Sequence, residues 1–355
     1  MKKIVFFSHR AGFKEGGMGS VFTTFANALT TDYDVCYVHN LPGDEVAYDN
    51  FNSSVKIVCQ GVRKFRYCLP KLVHTLNSEK PDVVITGGGY GNVFVIIASH
   101  LSKVRPKIIL AQHNYSNGED RTPFKSLYFR LYNKADYVTA VSKGVSSFMI
   151  KNGVKKEKIK ILYNPIDIQR IKLMASEKTN ISLPSNYIMF LGRTTPLKNL
   201  FLLLKAFEIL VKEDETLKLI IVGDGSDKEK LEKYSESNGL NRKVIFAGQQ
   251  SNPFPYIKNA KAVVLPSFSE ALPMVILEAF ALGVTVIATP TFGSLELLRN
   301  GELGYVTKSF DDPLEMSLTI KKGLDNPINP KLLIKVSSYF AVDIITSELK
   351  KIIEK

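Results

Sequence analysis

Short runs of β-branched and apolar residues alternate with segments of helical periodicity along the whole chain, a pattern that calls for parallel sheets joined by crossover helices. In the first half the runs fall at 4–8, 35–38, 55–58, 83–86, 108–111, 137–140 and 159–162. In the second half they fall at 188–192, 217–222, 244–247, 262–265 and 285–288. A chain of 355 residues exceeds one ordinary α/β core and suits two domains of roughly 150 to 180 residues each. Between the halves, residues 168–186 lose the strand pattern, gain charged and small residues and contain Pro184, which marks a linker. The expected organisation is an N-terminal domain over 1–167, a linker over 168–186 and a C-terminal domain over 187–341, each a doubly wound parallel sheet. Such sheets take ligands at the carboxyl ends of their strands, so a cleft between the two domains is the expected place for a site. The tail at 342–355, VDIITSELKKIIEK, has apolar positions at Ile344, Ile345, Leu349, Ile352 and Ile353. It reads as an amphipathic helix that packs back on the first domain.

Composition narrows the classes. Apolar residues at 45% and charged residues at 23% are those of an ordinary globular protein. The opening MKKIVFFSHRAGF has two lysines before an apolar run, but that run is too short for a signal peptide and reads as a first strand. No stretch reaches about 18 uninterrupted apolar residues, so no membrane span is expected. Cys36, Cys59 and Cys68 have no metal-ligand spacing and read as reduced thiols of a cytoplasmic protein. A net charge of +13 admits nucleic acid, an anionic lipid surface or a phosphate-bearing substrate.

The sharpest motif is SFSEALPMVILEAFALGVTVIAT at 267–289. Glu270 lies in the loop after a strand, and Pro273 suits the first turn of the helix that follows. From Pro273 to Leu282 every residue is apolar except Glu278, so a nearly all-buried helix carries one carboxylate. A buried carboxylate needs a basic partner or a polar ligand. Free amides around Leu272 to Val275 offer an anion site, and a helical rise would put the two carboxylates up to about 12 Å apart. A second motif, FLGRTTPLKNL at 190–200, brackets a turn with Arg193 and Lys198, a planar fork and a point charge suited to the phosphates of a nucleotide diphosphate.

Other segments carry less. TGGGYGN at 86–92 imitates a dinucleotide fingerprint, but Asn92 occupies its third glycine position and no acidic residue follows at the needed distance, which leaves a glycine-rich loop lining the cleft. GDGSD at 223–227 reads as a turn leading into a helix, with a minor phosphate- or base-facing role open to it. His9, His39, His74, His100 and His113 lack metal-ligand spacing, so no metal site is expected.

Glu270 and Glu278 with seven residues between them, together with Gly192, Arg193 and Lys198, resemble the retaining glycosyltransferases of GT-B fold, family 4 in particular. The resemblance extends over EGGMGSV at 15–21, AQHN at 111–114, ADYVTAVS at 135–142, ILYNPID at 161–167 and IIVGDGSDKEKLE at 220–232. It implies two Rossmann-like domains facing across a cleft, the second binding a nucleotide-sugar, a UDP-sugar by expectation. It further implies that Glu278 binds the ribose, Glu270 the donor sugar, and Arg193 and Lys198 the departing diphosphate. Backbone amides of Ala271, Leu272, Pro273's neighbour Met274 and the intervening loop would contact phosphate or sugar. Gly16 and Gly17 would approach the diphosphate from the first domain, and His113 would face the donor sugar. The implied reaction is transfer with retention, without a metal or other cofactor, onto a glycan or lipid-linked acceptor in bacterial surface polysaccharide or lipopolysaccharide synthesis.

Two other readings compete with it. One is another GT-B enzyme, such as a sugar-nucleotide epimerase. The other is a basic nucleic-acid-binding module, against which stands the lack of interleaved aromatic and basic residues. The excess charge has a further place to go: Arg63, Lys64, Arg66 and Lys71 lie among Val62, Phe65, Tyr67, Leu69 and Leu72, a mixture suited to peripheral contact with an anionic membrane surface.

Overall fold

The structure, a computed structural model, describes residues 1–8, 17–41, 45–62, 67–114 and 125–355. The chain divides into two compact units, Met1–Pro165 with Val342–Lys355, and Ile166–Ala341.

The first unit is built on a seven-stranded sheet. Its strands are β1 (Lys3–Ser8), β2 (Asp34–His39), β3 (Lys56–Cys59), β4 (Val83–Gly87), β5 (Lys107–Gln112), β6 (Tyr137–Ala140) and β7 (Ile159–Ile161). They lie in the order β3-β2-β1-β4-β5-β6-β7, all parallel. Strands covered by helices on both faces read as unbroken apolar runs, and Ile4, Val5, Phe6 and Phe7 are all fully buried. Register places Phe6 opposite Tyr37 on one side and Ile85 on the other. The terminal helix Val342–Glu354 belongs to this unit and packs against the helix Gly17–Leu29. Its buried side chains, Ile345, Thr346, Leu349, Ile352 and Ile353, form one stripe. Ile344, counted among the apolar positions of that helix, is 48% exposed because it stands about 100° round from the stripe. Polar contacts hold the same helix: Tyr33 donates to Glu354 at 2.8 Å, Lys107 donates to the Ile353 carbonyl at 2.8 Å, and Lys2 pairs with Glu354.

The second unit carries a six-stranded sheet. Its strands are β8 (Tyr187–Leu191), β9 (Lys218–Val222), β10 (Val244–Gly248), β11 (Ala262–Leu265), β12 (Thr285–Ala288) and β13 (Tyr305–Val306). Their order is β10-β9-β8-β11-β12-β13, again parallel throughout. Tyr187, Ile188, Met189 and Phe190 of the central strand are fully buried. β13 was not foreseen, since two residues are too few to show a strand pattern. The stretch read as a linker carries the helix Ile168–Met174, capped by Asp167, whose carboxylate accepts from the Arg170 amide at 2.9 Å. It groups with the second unit: Ile171 and Ala175 are buried, and Asn252 donates to the Met174 carbonyl at 2.8 Å. One buried side chain in a seven-residue helix leaves too short a stripe to read from sequence.

The order of each sheet reverses once, between β1 and β4 in the first and between β8 and β11 in the second. The carboxyl ends of those strands are where open α/β sheets bind ligands.

Candidate active site

At the reversal in the second sheet, β8 ends at Leu191 and turns through Gly192, whose amide donates to the Val222 carbonyl at 3.0 Å. The next loop, 223–227, is interlocked with this turn. Thr194 donates to the Asp224 carbonyl at 3.0 Å, and Asp227 returns a bond to the Thr194 carbonyl at 2.9 Å. A β-carbon on Gly223, whose φ is +132°, would stand 1.9 Å from the Gly192 carbonyl oxygen. One on Gly225 would stand 2.6 Å from that of Thr194. GDGSD therefore acts on the site through backbone packing: it braces the loop that carries Arg193. Arg193 itself is exposed and has no partner among the described residues.

A short 3-10 turn, Pro196–Lys198, then brings Lys198 back toward the end of β11. The Phe268 amide donates to the Leu197 carbonyl at 2.9 Å, which ties the two loops together. Lys198 forms an ion pair with Glu270 at 2.5 Å, and the buried hydroxyl of Ser267 donates to the same carboxylate oxygen at 2.7 Å. Both charged side chains are mostly buried, at 19% and 13% exposure, so each holds the other in place. The Glu270 backbone is fixed from below as well, because its carbonyl accepts from Gly293 at 3.0 Å. A β-carbon on Gly293 would come within 2.8 Å of Glu270 and Ala271 backbone atoms, so only glycine lets the loop lie there. Ser267 and Gly293 carried no signal of this in the sequence, since both act through contacts made by the folded chain.

After Glu270 the chain passes Ala271 and Leu272 to the helix Met274–Ala281. Pro273 stands at the N-cap rather than inside the first turn, with φ −71° and ψ 112°, and no side chain caps the helix. The first cap bond runs from Ile276 to the Pro273 carbonyl at 3.1 Å, which leaves the amides of Met274 and Val275 free for an acceptor. Glu270 is in the loop and not on the helix, so helical rise does not set its distance from Glu278. Glu278 is the one charged group of that helix. Its side chain keeps partial access to solvent, yet no donor among the described residues pairs with it. Burial pushes its carboxyl up to about 7.

In the first unit, Gly16 lies outside the described residues, and Gly17 opens the helix Gly17–Leu29. His113 follows β5, its ring edge-on to Phe22 at 5.7 Å. Its Nε2 has no hydrogen-bond partner among the described residues, and burial lowers its pKa to about 4, offset in part by Asn164, so the ring is neutral near pH 7. His113, Asn164, Phe22 and Leu349 line a cavity of about 10 Å³, which is room for about one water molecule. Of the basic residues assigned to a membrane surface, Arg63, Lys64 and Arg66 lie outside the described residues, and Lys71 is exposed and donates to the Gln60 carbonyl at 2.6 Å. Among the described residues there is no cluster of three or more potential metal ligands and no helix long and apolar enough to cross a membrane.

Residues 15–170 match the description Glycosyltransferase Family 4, and residues 173–337 match Glycosyl transferases group 1. The lipopolysaccharide 1,6-galactosyltransferase of Salmonella typhimurium is 30% identical over 67% of this chain and 65% of its own length. The N-acetylgalactosamine-N,N'-diacetylbacillosaminyl-diphospho-undecaprenol 4-alpha-N-acetylgalactosaminyltransferase of Campylobacter jejuni is 31% identical over 57% of this chain and 54% of its own. The chain thus spans less than two thirds of the length of these relatives. Among solved structures, Anabaena HepE in complex with UDP-glucose superposes with a TM-score of 0.81 at 20% identity, covering the whole of both chains. That likeness shows the fold, two parallel-sheet domains of GT-B type. With two adjoining family matches that together run from residue 15 to residue 337, the chain belongs to the GT-B glycosyltransferases of family 4 type.

Proposed function

We propose that this protein transfers a sugar from a nucleotide-sugar, a UDP-sugar, to a glycan or lipid-linked acceptor in bacterial surface polysaccharide or lipopolysaccharide synthesis, with retention of anomeric configuration. The observation that carries the reading is the grouping of Arg193, the Lys198–Glu270 pair and the uncapped helix Met274–Ala281 at the reversal of the second sheet. The relatives support the product class, since one is named for lipopolysaccharide and the other for a diphospho-undecaprenol acceptor. HepE, crystallised with UDP-glucose, supports the donor class.

In this reading Glu278 accepts hydrogen bonds from the ribose hydroxyls and Glu270 from the donor sugar. The freed helix amides, Arg193 and Lys198 stabilise the charge that grows on the leaving diphosphate. Displacement takes place on one face of the sugar: the departing phosphate oxygen receives the proton of the acceptor hydroxyl, and no enzyme nucleophile is needed. Gly16, Gly17 and the neutral His113 serve the same donor from the first unit. Positive side chains and helix amides do the work for which a divalent ion is otherwise used, so no metal is required. Work on the cytoplasmic face of a membrane, through Arg63, Lys64, Arg66 and Lys71, belongs to the same proposal. Salt-sensitive sedimentation with phosphatidylglycerol vesicles, lost when Arg63, Lys64 and Arg66 become serine, tests it.

A thermal-shift screen across UDP-, GDP- and ADP-sugars tests the donor, because a bound donor raises the transition by mass action. Stabilisation by UDP-sugars alone, followed by an α-linked product seen by NMR, is the expected result. A β-linked product from an α-linked donor would overturn retention, and a flat screen would overturn the donor assignment.

A further inference from the structure

The reversal in the first sheet has its own set of backbone donors. β4 runs through Thr86 and Gly87 into Gly88, Gly89, Tyr90 and Gly91, which open the thirteen-residue helix Gly89–Leu101. The N-cap is Gly88, at φ 83° and ψ 139°, so no side chain caps the helix, and its first turn holds no acidic residue. The first backbone bond of the helix runs from Asn92 to the Gly88 carbonyl at 3.1 Å, leaving the amides of Gly89 and Gly91 without an internal acceptor. They point outward at the positive end of the helix dipole.

A second observation concerns Thr86. Its side chain is fully buried, and its hydroxyl has no hydrogen-bond partner among the described residues. That hydroxyl lies 3.4 Å from where a β-carbon on Gly91 would stand, against the first turn of the helix. The Tyr128 hydroxyl is 2.6 Å from the corresponding point on Gly89 and bonds to the Tyr132 hydroxyl at 2.9 Å. Tyr128 thus fills the place beside Gly89, while Gly91 lets the first turn of the helix lie directly over the Thr86 hydroxyl. A buried hydroxyl left over beside free amides is an arrangement completed by an oxyanion.

We infer that the Thr86 hydroxyl and the amides of Gly89 and Gly91 bind a phosphate group carried by the acceptor. This rests on the reading of the chain as a glycosyltransferase and deepens it: the acceptor is a phosphate or diphosphate ester, held at the reversal of the first sheet, while the donor diphosphate is held at that of the second. Thr86 is a specificity-determining residue here, because a neutral acceptor leaves it as unpaired as it is without one.

The probe is inorganic pyrophosphate, titrated calorimetrically into the full chain saturated with UDP, so that the donor site is already occupied. Wild type and Thr86→Ser should bind it, whereas Thr86→Val, which keeps shape and loses the hydroxyl, should bind about tenfold more weakly. Gly91→Ala, whose added methyl makes only ordinary contact, should weaken it by crowding the same space. UDP affinity should be equal in all four proteins, and the melting temperature of unliganded Thr86→Val should not fall. Equal pyrophosphate affinity in wild type and Thr86→Val would overturn the inference. So would a UDP-saturated protein that binds no pyrophosphate, since the phosphate seen by the first unit would then be the donor's. If UDP does not bind at all, the donor assignment fails, and the same titration run without UDP still decides the Thr86 site.

Discussion

Replacing Glu278 by glutamine tests the chemistry of the donor helix through two independent quantities. Its carboxyl is pushed from 4.5 to about 7 by burial alone. At roughly 1.4 kcal/mol per unit, that displacement corresponds to about 3 kcal/mol of preference for the protonated form in the folded chain. The folded state therefore holds this proton more tightly than the unfolded state does. The resulting stability is fully present below about pH 4.5, declines as pH rises, and is lost above about pH 7. Between pH 5 and pH 8 the wild type should lose about 2–3 kcal/mol that Glu278→Gln, which cannot ionise, retains. Urea denaturation of the second unit's transition at both pH values measures the difference, and all other titrating groups cancel between the two proteins. Binding gives the second quantity. If ribose hydroxyls donate to the ionised carboxylate, only the deprotonated fraction binds, so UDP affinity should fall about tenfold from pH 8 to pH 6 through this group. Glu278→Gln should bind UDP more weakly and lack that component; the titration of UDP itself is common to both. Parallel stability curves for the two proteins from pH 5 to pH 8, or equal UDP affinities, would refute the reasoning.

Gly223→Ala forces a side chain into a backbone conformation that costs about 1–3 kcal/mol and sets its β-carbon on the Gly192 carbonyl; UDP affinity should drop even where circular dichroism shows a folded protein. Leu349→Ala removes a side chain 1% exposed and should destabilise the first unit by about 2–5 kcal/mol, while UDP affinity in the second changes less than twofold. Excess EDTA should leave sugar transfer unchanged; loss of activity restored by magnesium or manganese would contradict the assignment of the diphosphate to Arg193, Lys198 and helix amides.

The strands were legible because a parallel sheet covered on both faces turns each strand into a run of apolar residues, as at Ile4 to Phe7 and Tyr187 to Phe190. β13 and the helix Ile168–Met174 were not, since neither is long enough to display a period. Of the site, Glu278 stood out as the one charge in an apolar helix, and no donor among the described residues pairs with it. The partnership of Lys198 with Glu270 could not be read, because 72 residues separate them and only the ordering of β8 beside β11 brings them together. The role of GDGSD was hidden for a related reason. Its glycines are needed for the closeness of Gly192 and Thr194, neighbours in space that the sequence does not place beside them. Thr86 was visible only as the end of a strand, since an unpaired hydroxyl is a property of its surroundings.

The return of the last helix to the first unit sets the order in which the protein can mature during synthesis. Residues 166–341 form a contiguous unit, complete as soon as they have left the ribosome. The first unit waits for Ile345, Leu349, Ile352 and Ile353, which fill its core from the far end of the chain. The half made first thus closes last, the reverse of the usual vectorial sequence. Until residues 342–355 emerge, the face of the helix Gly17–Leu29 that they cover stays open to chaperones and proteases.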